Sequence, residues 1–406
     1  MSNLHYPFEP VAHEDWVLQI QKELRDQAGK IAFKDSIEAL EINITDSPNN
    51  IVDIPFPSES NQVNSVHFEL ISDEKESNRR ILLALMQGAN ALFLRTEKDS
   101  LDWRIVLDQV GLAYIRTELL VKNNVQLEEV KNQLSTEQFE QIHMLTDELI
   151  STENANSTAY FNGFELQQIG ANAQQELSSI ATAFHHYLSE GKRSEVVFSI
   201  GIGAHYFVQI AKVRALHYLI YKIAALHGIE HPNYRVQAHI GWVNKSLKDP
   251  YTNLLRQTSE AMSAFAGGVQ GLIIHPWDEF ASEGKEDFTL RMSLNVFNLL
   301  NDEAHFDWVQ DPMKGSRIVE ALTIQLIEKT WTRIQFLSKL KGKELLDTCL
   351  SDIEQTRIMR EEAWSNGEEK LIGVHTFLNS DESKAKTWGN VPSYLGKEYL
   401  TVERTR

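Results

Sequence analysis

The sequence predicts an α/β fold, a (β/α)8 barrel of the TIM type with an N-terminal arm and a C-terminal helical extension. Two observations predict it. From about residue 65, short runs rich in β-branched and aromatic residues alternate with amphipathic helical segments, which is typical of a parallel sheet covered by helices. There are eight such runs, enough to close a barrel. They are residues 66–71, 91–94, 114–120, 158–161, 196–200, 234–239, 269–274 and 306–309.

The helical segments carry apolar residues at three- and four-residue spacing, at 171–188, 206–226, 250–265 and 289–300. Asp249 followed by Pro250 supplies an N-cap with proline at the first helical position, and Gly267-Gly268 ends that helix. Two longer helices are predicted at 319–340 and 344–364.

These patterns divide the chain into four parts. Residues 1–35 form an N-terminal arm and helix, 36–312 the barrel, 313–379 its helical completion, and 380–406 a C-terminal arm. Both arms are too short for a core of their own, yet they carry aromatic residues such as Trp16, Trp388, Tyr394 and Tyr399. Because large aromatics supply much of the burial energy at interfaces, we expect both arms to pack on a partner subunit and not on this barrel.

Composition excludes several classes of protein. A net charge of -18 argues against nucleic acid as a partner, since phosphate binding needs a basic surface. No apolar run is long enough for a membrane span, and the N-terminus lacks a signal-peptide pattern, which predicts a cytoplasmic protein. The single cysteine, Cys349, excludes an internal disulfide and a thiolate zinc cluster.

Three local patterns resemble functional motifs: a glycine-containing loop, a pair of histidines and two polar residues at a strand end. Gly201-Ile202-Gly203 lacks the third glycine of a dinucleotide loop, so it indicates a tight turn. His185 and His186 are adjacent on a helix and point in different directions, so we expect no metal site there. Gln237 and His239 lie on one face of a strand that leads into Gly241-Trp242. Active sites of barrels form at such strand ends, although a satisfied polar residue inside the barrel would look the same.

Several blocks in order resemble the barrel of methylmalonyl-CoA mutases. The blocks are GFELQQIGANAQQEL at 163–177, FVQIAKVRAL at 207–216, DPYTNLLR at 249–256, FAGG at 265–268 with Asp278-Glu279, Asn295 through Glu303 to Asp311-Pro312, and IGV at 372–374. The resemblance covers about half of the chain, from 162 to 374. FEPVAHEDW at 8–16 is similar to the opening of the family's small subunits.

The sequence departs from the family at the substrate pocket. The arginine that pairs with the substrate carboxylate in catalytic members is replaced by Gln167, and the histidine before it by Glu165. A family histidine near the thioester carbonyl falls on Gln237 when counted from Asp249, and on Val236 when counted from Gly241-Trp242.

Further departures follow along the chain. His239 lies two or three residues from the matched histidine position and could substitute for it. Another family histidine aligns with Ile273, and a family glutamine aligns with Phe297. The radical-caging tyrosine and the cofactor-facing arginines have no counterpart in residues 36–70. A neutral amide cannot replace a bidentate guanidinium, so the pocket positions are read as degenerate.

The resemblance therefore implies a small, non-catalytic subunit that forms a heterodimer with a large catalytic subunit. That subunit would interconvert (R)-methylmalonyl-CoA and succinyl-CoA. The Asp-x-His-x-x-Gly pattern of the cobalamin domain has no counterpart here, which implies that adenosylcobalamin is held by the partner and that this chain has no cobalamin-binding domain. Two alternatives remain open: an autonomous enzyme on a CoA thioester that uses His239 and Glu165, and a free-standing binding module.

Overall fold

The fold was described from a computed structural model, which covers residues 12–25, 32–43, 51–57, 63–69, 73–96, 98, 100–149, 158–379 and 385–403. Eight parallel strands close into a barrel in the order β3-β4-β5-β6-β7-β8-β9-β10, and β10 pairs back onto β3. The barrel strands are β3 (Val63–Glu69), β4 (Ala91–Arg95), β5 (Arg116–Val121), β6 (Ile142–Asp147), β7 (Thr158–Asn162), β8 (Val196–Gly201), β9 (Tyr234–Ile240) and β10 (Gly271–Ile274). The predicted barrel is confirmed.

Helices surround the barrel and close its carboxyl end. They are α2 (Glu74–Met86), α3 (Trp103–Val106), α4 (Asn124–Gln133), α5 (Thr136–Glu140), α6 (Gly163–Gln168), α7 (Ala173–Ser189), α8 (Tyr206–Leu226), α9 (Thr252–Gly267), α10 (Asp287–Asn298), α11 (Arg317–Leu337) and α12 (Gly342–Ser365). The N-terminal helix α1 (His13–Leu24) and the hairpin β1 (Ala32–Asp35) with β2 (Leu40–Asn43) precede the barrel, and the short hairpin β11 (Ser393–Tyr394) with β12 (Lys397–Glu398) follows it.

Two of the strand assignments need correction. The predicted strand at 306–309 is wrong: Phe306–Trp308 is a 3-10 turn that begins after His305 at φ 53°, and Trp308 and Val309 are exposed. The eighth strand is instead β6, which the sequence analysis missed. Its sequence, IHMLTD, places polar residues among the apolar ones, and the structure buries Thr146 and Asp147 at its end.

The C-terminal segment packs on this chain's own barrel. Tyr394 and Tyr399 are buried, the Tyr394 hydroxyl donates to Asp147 at 2.8 Å, and the Tyr399 hydroxyl donates to Glu165. Trp388 pairs by a β-bridge with Ala281. The prediction that this arm docks on a partner instead of the barrel is therefore wrong for residues 385–403, because this barrel itself buries their aromatic side chains.

The N-terminal part is described only in pieces. The predicted helix is present as α1, with Trp16, Ile20 and Leu24 half-buried. Residues 1–11 and 26–31 lie outside the described residues, so the docking of this arm on a partner stays a prediction. The β1–β2 hairpin, by contrast, packs on the barrel's helices, since Asn172 donates to the carbonyl of Ile37 at 2.9 Å.

We expect Tyr394→Phe to lower the free energy of unfolding by about 1–2 kcal/mol. The substitution removes a buried hydrogen bond to Asp147, which keeps its bonds from Asn162 and from the backbone of Leu149. Urea unfolding measures the change, and Tyr114→Phe is the control because Tyr114 is 91% exposed. Equal stability of the two variants would contradict the docking of the C-terminal segment.

Candidate functional site

Three histidines meet inside the barrel, near the carboxyl ends of β3, β9 and β10. Nδ1 of His67 lies 3.3 Å from Nδ1 of His275, and Nε2 of His275 lies 3.1 Å from Nδ1 of His239. The hydroxyl of Tyr160 on β7 lies 3.4 Å from Nε2 of His239. Strand alternation brings these side chains together, because every second residue of a barrel strand points inward.

The polar chain continues down the barrel axis. Nε2 of His239 lies 3.4 Å from Oε1 of Gln237, and Nε2 of Gln237 donates to Glu118 at 3.2 Å. Glu118 is buried and forms ion pairs with Arg116 at 2.8 Å and with Arg235. The apolar side chains of Phe93, Leu145, Val197 and Ile273 fill the space around this chain. The inside of the barrel is therefore packed and holds no open axial pocket among these residues.

Aromatic rings close the carboxyl end of the barrel. The ring of Phe164 stacks on His239 at 4.4 Å and on His275 at 5.0 Å between centroids. Trp242 lies 4.4 Å from His275, and Tyr399 of the C-terminal segment stacks on Trp242 at 6.0 Å. Phe164, Trp242 and Tyr399 are each at most 3% exposed, so solvent does not reach the histidines from this side.

Local sequence explains why Phe164 occupies this position. Asn162 ends β7, and its Oδ1 accepts from the backbone N–H of Glu165 at 3.3 Å, which starts α6 directly after the strand. A Cβ on Gly163 would lie 2.6 Å from the carbonyl oxygen of Ser199, so only glycine fits between the two strands there. This tight turn sets the next residue, Phe164, over the barrel axis.

The predicted pocket residues on α6 are buried and engaged. Glu165 forms an ion pair with Arg95 on β4 and accepts from Tyr399. Gln167 accepts from the side chain of Gln168. Both residues are buried, with at most 7% of their surface exposed. In this arrangement the Glu165 carboxylate is neutralised and fixes the C-terminal segment.

The other predicted positions divide into two groups. Gln237, His239 and Ile273 lie inside the barrel together. Phe297 does not: it is on α10 and packs on Phe265 of α9 at 5.3 Å between centroids, in the layer between sheet and helices. Val236 also lies in that outer layer, so of the two sequence counts only the one from Asp249 gives an inward-facing residue, Gln237.

Burial keeps the interior histidines neutral. It lowers the pKa of His239 to about 3, and lowers the pKa of His275 and of His67 well below the ordinary value. Burial alone would raise the pKa of Glu118, but the guanidinium groups of Arg235 and Arg116 outweigh it and lower that pKa. These neutral imidazoles are shielded from water and from a substrate, so they have no ligand with which to exchange a proton.

Several members of this constellation were not predicted from the sequence. His275 lies two residues after Ile273, and His67 lies within the first barrel strand, so strand alternation could have placed both inside. Arg95 and Asp147, which hold Glu165 and Tyr394, end their own strands in the same way. Within the described part of the chain, no group of three or more His, Cys, Asp or Glu residues could hold a metal ion.

Comparison with known proteins decides the family. The family profile described as methylmalonyl-CoA mutase matches residues 131–396, which is more than half of the chain. The chain belongs to the methylmalonyl-CoA mutase family. The match also includes the C-terminal segment as far as residue 396, beyond the blocks recognised in the sequence.

Relatives of both subunit types are similar to this chain. The methylmalonyl-CoA mutase small subunit of Porphyromonas gingivalis is 31% identical over 203 residues, covering 48% of this chain and 33% of that protein. The small subunit of Propionibacterium freudenreichii subsp. shermanii is 32% identical over 138 residues, or 34% and 22%. The large subunit of the same organism is 29% identical over 232 residues, or 53% and 32%.

The chain spans at most about a third of the length of these three curated relatives. The similarity therefore covers only part of each relative. In the described residues, no helix combines the length and the apolar character needed to cross a membrane.

Proposed function

We propose that the chain is a small, non-catalytic subunit of a cytoplasmic methylmalonyl-CoA mutase. Its role is to support a large catalytic subunit, which interconverts (R)-methylmalonyl-CoA and succinyl-CoA. One observation carries the proposal: the place where a barrel enzyme of this family would hold its substrate is filled by the chain's own residues. Phe164, His239 and His275 occupy the axis, and Tyr399 covers the opening.

The charges at this end of the barrel support the same conclusion. A CoA thioester of a dicarboxylic acid needs a cation for its free carboxylate. Arg95 lies at the opening, but it is paired with Glu165, and the position matched to the family's arginine is the neutral Gln167. An incoming carboxylate would have to displace a buried carboxylate that also accepts from Tyr399, which makes binding unfavourable.

Adenosylcobalamin does not fit the residues at this opening. The described C-terminal segment and the rings of Phe164 and Trp242 cover the surface on which a corrin ring would have to lie. We therefore assign the cofactor to the partner subunit and derive no chemical step on this chain.

Co-expression with the large mutase subunit of the same genome tests the proposal. With an affinity tag on this chain, we expect the large subunit to co-purify and the complex to isomerise methylmalonyl-CoA when adenosylcobalamin is supplied. We expect His239→Gln in this chain to leave the kcat of the complex within about two-fold of wild type, because His239 does no chemistry. His231→Gln, at an exposed position, is the matched control.

Three results would contradict the proposal. A large loss of kcat in the His239→Gln complex, with unchanged assembly, would place catalysis in this barrel. Turnover of a CoA thioester by the isolated chain would identify an autonomous enzyme. If the large subunit does not co-purify, either with or without added adenosylcobalamin, the chain is a free-standing binding module instead.

A further inference from the structure

A cavity of about 500 Å³ lies beside the barrel axis at the carboxyl end of the strands. Its walls come from the β1–β2 hairpin, the loops that follow β8 and β9, and the end of α12. Phe164, His239 and His275 do not line it. Gln167, the position matched to the family's arginine, does line it. The cavity volume lies in the range of small-molecule sites, which is about 300–1,000 Å³.

The carboxylates of the cavity wall already have cations. Asp35 pairs with His205, Glu38 lies 3.7 Å from Arg360, and Glu176 pairs with Lys212 at 2.8 Å. Glu369, nearer the opening, lies 3.9 Å from His205. These acidic groups are thus compensated and offer little attraction to a cationic ligand.

The exposed Lys370 of the cavity wall forms no ion pair among the described residues, and neither does Arg256. Its guanidinium donates to the side chain of Asn253 at 2.8 Å and to the carbonyl of Ile372, both of which are neutral acceptors. The carboxylates of Glu260, Asp249 and Glu403 stabilise its charge from longer range. Glu260 is itself paired with Lys245 at 2.7 Å, so a ligand anion can contact the guanidinium directly.

Much of the remaining wall is apolar. The apolar lining residues include Ile37, Ala171, Ala204, Val243, Leu255 and Leu371. A bare inorganic anion would leave this surface unused, whereas an organic anion buries its own apolar part against it. The combination selects a molecule with one anionic group and an apolar body.

We propose that this cavity binds a small organic carboxylate, with its carboxylate at Arg256 and its apolar body against the aliphatic wall. The site does not use the barrel axis, although Gln167 of the predicted substrate pocket lies in its wall.

Calorimetric titration of the full chain with octanoate tests the proposal. We expect saturable binding of one octanoate per chain, with octylamine and octanol at least about ten-fold weaker because they lack the negative charge. Inorganic phosphate is expected to give no saturable heat. Absence of saturable octanoate binding, equal binding of octanol, or tighter binding of phosphate would each overturn the proposal.

Two variants locate the binding. Arg256→Gln should weaken octanoate binding by about ten-fold or more, while Arg104→Gln, at an exposed arginine outside the cavity, should leave it unchanged. Ala204→Trp should block the cavity, with Ala204→Ser as its control. Ala204 is exposed and lies in a loop, so this pair keeps the test valid if Arg256→Gln fails to fold. Unchanged binding in Ala204→Trp would place octanoate elsewhere and overturn the proposal.

Discussion

Replacing Lys212 with methionine is expected to lower the free energy of unfolding by about 3–5 kcal/mol, because it leaves a buried carboxylate without its cation. Nζ of Lys212 lies 2.8 Å from Oε2 of Glu176, and the two side chains are 2% and 0% exposed. Burial already raises the pKa of Glu176 to about 7 in the intact pair. Oε1 of the same carboxylate accepts from the backbone N–H of Gly201 at 2.7 Å, so it cannot move away.

The loss in Lys212→Met should depend on pH. Because the folded-state pKa of Glu176 lies above its unfolded value, the buried charge costs stability above that pKa, and protonation removes the cost as pH falls through it. We expect the deficit of the variant to shrink from pH 8 to pH 6. The double variant Lys212→Met/Glu176→Gln should recover most of the stability.

Chemical denaturation at several pH values measures these differences. Lys343→Met is the matched control, since Lys343 pairs with Asp347 at 2.8 Å but the two side chains are 85% and 58% exposed. Such surface pairs contribute at most about 1 kcal/mol. Equal losses in Lys212→Met and Lys343→Met would contradict the account of a buried pair.

Acid is expected to destabilise the fold steeply between pH 6 and pH 5. Burial lowers the pKa of His239 to about 3 and that of His217 to about 4, and it lowers the pKa values of His67 and His275 well below normal. The unfolded chain therefore binds these protons first. The contribution of each histidine is complete above its unfolded pKa of about 6.5 and is lost as pH falls towards the folded value.

Two carboxyl groups oppose this effect. Burial raises the pKa of Glu176 to about 7 and that of Asp147 to about 6, so the folded chain binds their protons first. Among the groups that burial shifts most, four histidines outnumber two carboxyl groups, so we expect stability to fall as pH is lowered through this range.

A variant isolates the contribution of the barrel interior. His275→Gln should reduce the slope of stability against pH by about 1.4 kcal/mol per unit, because it removes one titrating site. Tyr160→Phe changes the same interior without removing a group that titrates in this range, and should keep the wild-type slope. Urea unfolding from pH 7 to pH 5 gives both slopes; an unchanged slope in His275→Gln would show that this histidine is not held neutral by burial.

Much of the fold follows from local patterns that the sequence displays. The helices of the second half and the strands at 196–201 and 234–240 were predicted within a few residues, because burial on both faces leaves long apolar runs. The strand Ile142–Asp147 was missed because its polar residues are stabilised by partners far away in sequence, such as Tyr394 with Asp147.

The candidate site was predictable only in part. Strand alternation puts Gln237, His239 and Ile273 inside the barrel, but it cannot show that Phe164 stacks over them. The aromatic content of the C-terminal segment indicated burial correctly. It could not indicate which surface buries the segment, because aromatic residues pack equally well on a partner subunit and on the chain's own barrel. The contact between Tyr399 and Glu165 joins positions separated by 234 residues, which no local pattern encodes.

The central claim is that this barrel is filled by its own side chains and takes no part in mutase chemistry. The most direct measurement is a calorimetric titration of the purified chain with adenosylcobalamin, followed by a mutase assay on the same sample. We expect no saturable heat up to about 100 µM cofactor and no conversion of methylmalonyl-CoA above the enzyme-free control. Stoichiometric binding with sub-micromolar affinity, or turnover by the isolated chain, would contradict the claim.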